Sequence, residues 1–183
     1  MTGRVIILNG VSSAGKSTIA RELQDRADFT LLHVEMGKFL SFLPNGDEFK
    51  PDWFELVKVQ NSAGKLPRIV NGPRGEKLLK VMRQFVIHAA HEGLDMVVDE
   101  VCHAAEIADY REGLAGCRAL FVKILAPLDE LERRERARGN RLIGLAREQS
   151  GHLHQAVTYD LEINTLAGKT TDQAAQILRA VND

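Results

Sequence analysis

Residues 8–18 read LNGVSSAGKST, and within them residues 10–17 match G-x-x-x-x-G-K-[ST] at every fixed position. A run this poor in side-chain bulk cannot build a core. The residues before it, Val5, Ile6, Ile7 and Leu8, are apolar on both faces, as a strand covered on both sides requires. The residues after it carry Ile19, Ala20 and Leu23 at helical spacing. A buried strand, a glycine-bearing loop and a helix in immediate succession confine the chain to an α/β arrangement whose first turn is built to hold something.

The residue types say what is held. Gly10 lets the chain leave the strand where a Cβ would obstruct it. The backbone N–H groups of Ser12, Ser13, Ala14, Gly15 and Lys16 can then converge on an anion, aided by the dipole of the helix they open. Lys16 is placed to reach the β- and γ-phosphates of a nucleotide, and the Ser17 hydroxyl to ligate Mg²⁺. The expected ATP contacts are Gly10, Ser12, Ser13, Ala14, Gly15, Lys16, Ser17 and Thr18. The bland alternative is a glycine-rich turn with a solvated lysine.

Further along, strand-like segments alternate with helical ones. Strands are predicted over residues 29–34, 94–100, 118–125 and 157–164, and helices over 36–43, 75–92 and 104–114, after Pro127, and from Thr170 or Thr171 to the end. Residues 44–75 hold four of the five prolines and read as irregular. The alternation predicts a single domain over residues 1–183, a three-layer fold with a five-stranded parallel sheet and helices on both faces.

Composition excludes several partners. Lys and Arg number 24 against 25 Asp and Glu, so no global field favours nucleic acid or an anionic membrane. No apolar run approaches the ~20 residues a membrane span needs, and none resembles a leader. Two cysteines, Cys102 and Cys117, lack metal-ligand spacing and read as reduced thiols of a cytoplasmic protein. The sequence says nothing about oligomeric state.

Three groups of residues bear on what a bound nucleotide is used for. Asp99 and Glu100 close the third predicted strand, where a second contact to the metal belongs, although a strand-end carboxylate can simply be solvated. Glu35 follows the second strand and should face the same crevice. It can accept a proton from an attacking hydroxyl or merely cap the next helix, and His33 is a second candidate for the base. Arg134, Arg138 and Arg141 stand at i, i+4 and i+7. They can close over a phosphoryl group or form a solvated face with Glu132 and Glu135.

With these residues in place, the sequence resembles the chloramphenicol phosphotransferase family of P-loop kinases. The resemblance runs through VIILNGVSSAGKS, IVNGP, VVDEV and RERARGNRLIGLAREQ, then His154, Val157, Tyr159, Asp160, Glu162 and Ile163. It implies transfer of the ATP γ-phosphate to a hydroxyl of an antibiotic, to which the Mg²⁺ expected at Ser17 and Asp99 from the loop and the strand end is suited. It also implies that the carboxylate after the second strand is the base. The family has aspartate there, and this chain has Glu35, one methylene longer. Arg134, Arg138 and Arg141 fall on the family's lid arginines, within a lid over residues 133–152. Residues 39–74, where such kinases shape the acceptor pocket, depart from the family pattern, so the small-molecule hydroxyl acceptor need not be chloramphenicol. A kinase for a sugar or nucleoside-like metabolite and a regulatory P-loop nucleotide-binding protein are the competing expectations.

Overall fold

A computed structural model describes residues 1–61, 64–139 and 142–182. In chain order the first elements are β1 (Arg4–Asn9), α1 (Lys16–Arg26), β2 (Leu32–Glu35), α2 (Met36–Leu40), β3 (Phe54–Asn61) and β4 (Gly64–Asn71). There follow α3 (Pro73–His91), β5 (Met96–Glu100), α4 (Ala104–Gly113) and β6 (Arg118–Leu125). The chain ends with α5 (Leu128–Arg138), α6 (Leu145–Ser150), β7 (Leu161–Asn164) and α7 (Thr170–Asn182). Five strands form one parallel sheet in the order β2-β5-β1-β6-β7, as the alternation of strand and helix requires.

The central strand explains its own composition. Ile6 and Leu8 of β1 pack with Ile19 and Leu23 of α1 and Ile177 of α7 on one face. Val5 and Ile7 pack with Met82 and Val86 of α3 and Tyr110 of α4 on the other. All four strand residues are fully buried, each contributing about 1.5–3 kcal/mol, which is why β1 shows no alternation. Because every strand of the sheet is parallel, Asn9, Glu35, Asp99 and Glu100 arrive together at its C-terminal edge.

Two expectations need correcting. Residues 44–75 are not wholly irregular: β3 and β4 form an antiparallel hairpin, paired from Phe54 with Asn71 to Asn61 with Gly64. Pro67 sits inside it opposite Lys58, tolerated because a two-stranded ribbon has an edge on both sides and its strands do not all need donors. The second strand runs from Leu32 to Glu35 rather than over residues 29–34, so Glu35 belongs to its end. Among the described residues no helix is long and apolar enough to cross a membrane, and both cysteines are free thiols.

Candidate active site

The loop between β1 and α1 is shaped by three constraints. A Cβ on Gly10 would stand 2.4 Å from the Ile124 carbonyl oxygen on β6, so the position is glycine through close packing. Ser13 and Gly15 have φ of 63° and 105°, left-handed conformations that curve the loop tightly. Of the N–H groups expected to cradle an anion, that of Ser12 donates to Gln149 Oε1 (2.7 Å) and that of Ala14 to the Val11 carbonyl oxygen (3.2 Å). Holding a serine there costs about 1–3 kcal/mol, a strain typical of ligand clamps. The Ser13 Oγ is buried without a hydrogen-bond partner among the described residues. A buried hydroxyl without a partner, on a loop that opens a helix, suits a phosphate chain. Lys16 is buried, and its Nζ donates to the carbonyl oxygens of Gly10 (2.8 Å) and Val11 (3.2 Å).

Ser17 Oγ donates to Asp99 Oδ2 at 2.5 Å, and Lys16 Nζ lies 3.7 Å from Asp99 Oδ1. Asp99 is paired in register with Glu35 on the neighbouring strand, and both side chains line one cavity of about 620 Å³ with the loop. Ser17 and Asp99 supply two hard oxygens. That is a fit for Mg²⁺, which keeps most of its waters and takes other ligands from phosphates. Among the described residues no group of three or more His, Cys, Asp and Glu forms a self-sufficient metal cage. His33, the alternative base, does not line this cavity. Burial and Lys38 hold its pKa below the usual histidine value.

The cavity lining combines apolar side chains, including Met36, Leu40, Phe49, Phe54 and Leu79, with Arg83 and Glu100 of a polar cluster that sequence reasoning missed. Arg83, on the buried stripe of α3, donates from Nη1 to Glu100 Oε1 at 3.2 Å, while Tyr110 donates its hydroxyl to Glu100 Oε2 at 2.7 Å. Burial pushes the Glu100 carboxyl up, and Tyr110 and Arg83 pull it back. Glu100, weighed above as a metal carboxylate, is thus engaged by Tyr110 and Arg83. The only sequence signal for Arg83 was a charge between Met82 and Val86 on an otherwise apolar face.

The arginines separate. Arg134 donates to the carbonyl oxygens of Ser13 (3.3 Å) and Ala14 (3.1 Å) and to Thr165 Oγ1 (2.9 Å), with Glu130 on its Nε. It braces the loop from outside and does not line the large cavity. Arg138, at the end of α5, lines both that cavity and a smaller cleft of about 110 Å³ formed with Gly15, Thr18, Arg134, Thr165 and Gln173. Arg141 lies outside the described residues. Below the loop, Asn9 Nδ2 donates to Tyr159 Oη and to the Cys102 carbonyl, and Tyr159 Oη is 2.7 Å from His154 Nδ1. This clamp accounts structurally for the Tyr159 and His154 positions.

Comparison with known proteins places this geometry in context. A family model described as chloramphenicol phosphotransferase-like protein matches residues 3–182. A protein of Mycobacterium tuberculosis (strain ATCC 25618 / H37Rv) named "Putative O-phosphotransferase Rv2636" is 26% identical over 181 residues, covering 96% of this chain and 80% of that one. Among solved structures, a sugar kinase from Janibacter sp. HTCC2649 is similar with a TM-score of 0.69 and 17% identity, covering 98% of this chain and 95% of its own. The APS kinase CysC of Mycobacterium tuberculosis, in complex with AMPPNP and APS, has a TM-score of 0.67 and 18% identity, covering 100% and 99%. These last two likenesses show the fold, a P-loop kinase fold.

Proposed function

This chain belongs to the chloramphenicol phosphotransferase-like family and is a phosphotransferase, and on that premise we propose that it moves the γ-phosphoryl group of ATP to a hydroxyl of a small molecule. One observation carries the reading. The Ser17–Asp99 pair and the Glu35 carboxylate stand on adjacent elements and line one cavity together with the phosphate-binding loop and the apolar side chains of Met36, Leu40, Phe49, Phe54 and Leu79.

In this reading the N–H groups of Ser13, Gly15 and Lys16 and the Lys16 ammonium hold the phosphates while the Ser12 N–H stays on Gln149, and Ser17 and Asp99 hold Mg²⁺. The metal, when bound, draws charge off the β- and γ-phosphate oxygens. Glu35 takes the hydroxyl proton as the acceptor oxygen bonds to the γ-phosphorus and the bridging P–O bond breaks. Arg138, shared by cavity and cleft, neutralises the transferring group with Arg141, while Arg134 fixes the loop. The nucleoside lies toward the cleft beside Thr165 and Gln173. Residues 39–74, hairpin included, shape the acceptor pocket, and residues 133–152 form the lid. The apolar wall favours an amphipathic acceptor, of which chloramphenicol is the first to test. Purified protein with ATP and Mg²⁺ is incubated with chloramphenicol, other hydroxylated antibiotics, sugars and nucleosides, and products are weighed by mass spectrometry. Gain of one phosphoryl group by an acceptor is expected. No gain by any of them, under conditions where ATP binds, overturns the reading.

A further inference from the structure

We propose that Gln149 is a catalytic residue whose side-chain amide donates to the transferring γ-phosphoryl group. The assignment rests on the phosphotransferase reading above and adds a residue that the motif-based reading passed over.

Several contacts hold α6 in place. Glu135, fully buried, accepts the N–H of Gly144 (2.9 Å) with one oxygen and that of Ala146 (2.7 Å) with the other, closing the start of this short helix. Arg147 pairs with Glu132 at 2.6 Å. Glu148 receives Arg68 from the hairpin at 2.5 Å and meets His152 at 2.9 Å. Leu145 and Ala146 are buried. The next residue, Gln149, lines the cavity that also holds Lys16, Glu35 and Asp99.

There the Ser12 N–H donates to Gln149 Oε1 at 2.7 Å. A backbone N–H can only donate, so the amide oxygen must face the loop and the orientation of the amide is fixed by its partner. The NH₂ end is therefore left to the cavity, and no described residue accepts from it. Two neutral donors on a cavity-lining residue that is itself bonded to the phosphate-binding loop suit oxygens that gain charge as the γ-phosphoryl transfers. ADP has no such group, so only the triphosphate should sense Gln149.

The test measures, by calorimetry with Mg²⁺, the affinities of ADP and of a non-hydrolysable ATP analogue for wild type, Gln149→Met and Gln149→Glu. Thermal denaturation checks that each variant is folded. Gln149→Met is expected to weaken the analogue about 10-fold or more, the scale of a lost bond to a charged group, and to leave ADP within about twofold. Gln149→Glu still accepts the Ser12 N–H but offers no donor and adds a negative charge, so its loss for the analogue should be larger. Equal weakening of both nucleotides would make Gln149 a mere support of the loop. Tightening of both would make it a competitor for the Ser12 N–H. Either result, with wild type binding both nucleotides, overturns this assignment alone. A wild-type protein that binds neither overturns the phosphotransferase reading beneath it as well.

Discussion

Ser17 Oγ and Asp99 Oδ2 lie 2.5 Å apart, joining the first turn of α1 to the C-terminal end of β5 where both residues line the cavity. The short bond sets two candidate metal ligands side by side. Asp99→Asn preserves shape but removes the charge that Mg²⁺ requires. Phosphoryl transfer by this variant is expected to fall at least about 100-fold, and raising Mg²⁺ should recover part of it. Initial rates across a Mg²⁺ titration decide the matter: wild-type rates in the variant would remove Asp99 from the metal site.

Glu35 sits one strand away, in register with Asp99. In the proposed mechanism it accepts the hydroxyl proton, a role that bears on the reaction and little on nucleotide binding. Glu35→Gln should therefore slow transfer by about 10²–10⁴-fold while the affinity for ATP stays nearly unchanged. Lys16→Ala should abolish transfer and weaken ATP as well. Single-turnover rates together with nucleotide titrations separate these patterns. Full activity in Glu35→Gln would mean that the base lies elsewhere.

The loop and the parallel sheet were legible because their chemistry is local. A buried strand has to be apolar on both faces, and G-x-x-x-x-G-K-[ST] carries its own geometry in residues 10–17. Glu35 and Asp99 were legible as a pair because strand ends in a parallel sheet converge at one edge. The hairpin was obscured by its punctuation, since Pro51, Pro67, Gly72 and Pro73 hide the alternation of Val57 and Val59. Arg83 and Gln149 were missed for another reason. Their partners, Glu100 and Ser12, lie 17 and 137 positions away, and only the folded chain brings them together.

The Arg83–Glu100–Tyr110 cluster supports a stability experiment. Glu100 is 2% exposed, and its ionised form depends on both partners. Removing one partner of a buried ion pair leaves the other uncompensated, so Arg83→Met should destabilise the protein by about 3–5 kcal/mol. Tyr110→Phe removes only a hydrogen bond and should cost about 1–3 kcal/mol. In the double variant Arg83→Met with Glu100→Leu no lone charge remains, and much of the stability should return. Urea denaturation of the three variants tests the ordering. A double variant less stable than Arg83→Met alone would contradict it.

The Asn9–Tyr159–His154 chain makes stability depend on pH in a defined window. Asn9 Nδ2 donates to Tyr159 Oη, which leaves the phenol hydrogen to donate to His154 Nδ1. That bond needs an unprotonated Nδ1. Burial, with Lys123 second, holds the His154 pKa down to about 4, against about 6.5 when unfolded. Between these values the unfolded chain binds the proton more readily than the folded one, so stability rises with pH there. The contribution is complete above about pH 6.5 and lost as pH falls to about 4. Because His154 is only half-buried, its size should stay below about 3 kcal/mol. His154→Gln keeps an acceptor for Tyr159 and does not titrate. Melting temperatures taken from pH 7 to pH 4 should fall more steeply in wild type than in this variant. Parallel curves would show that His154 does not carry the pH dependence.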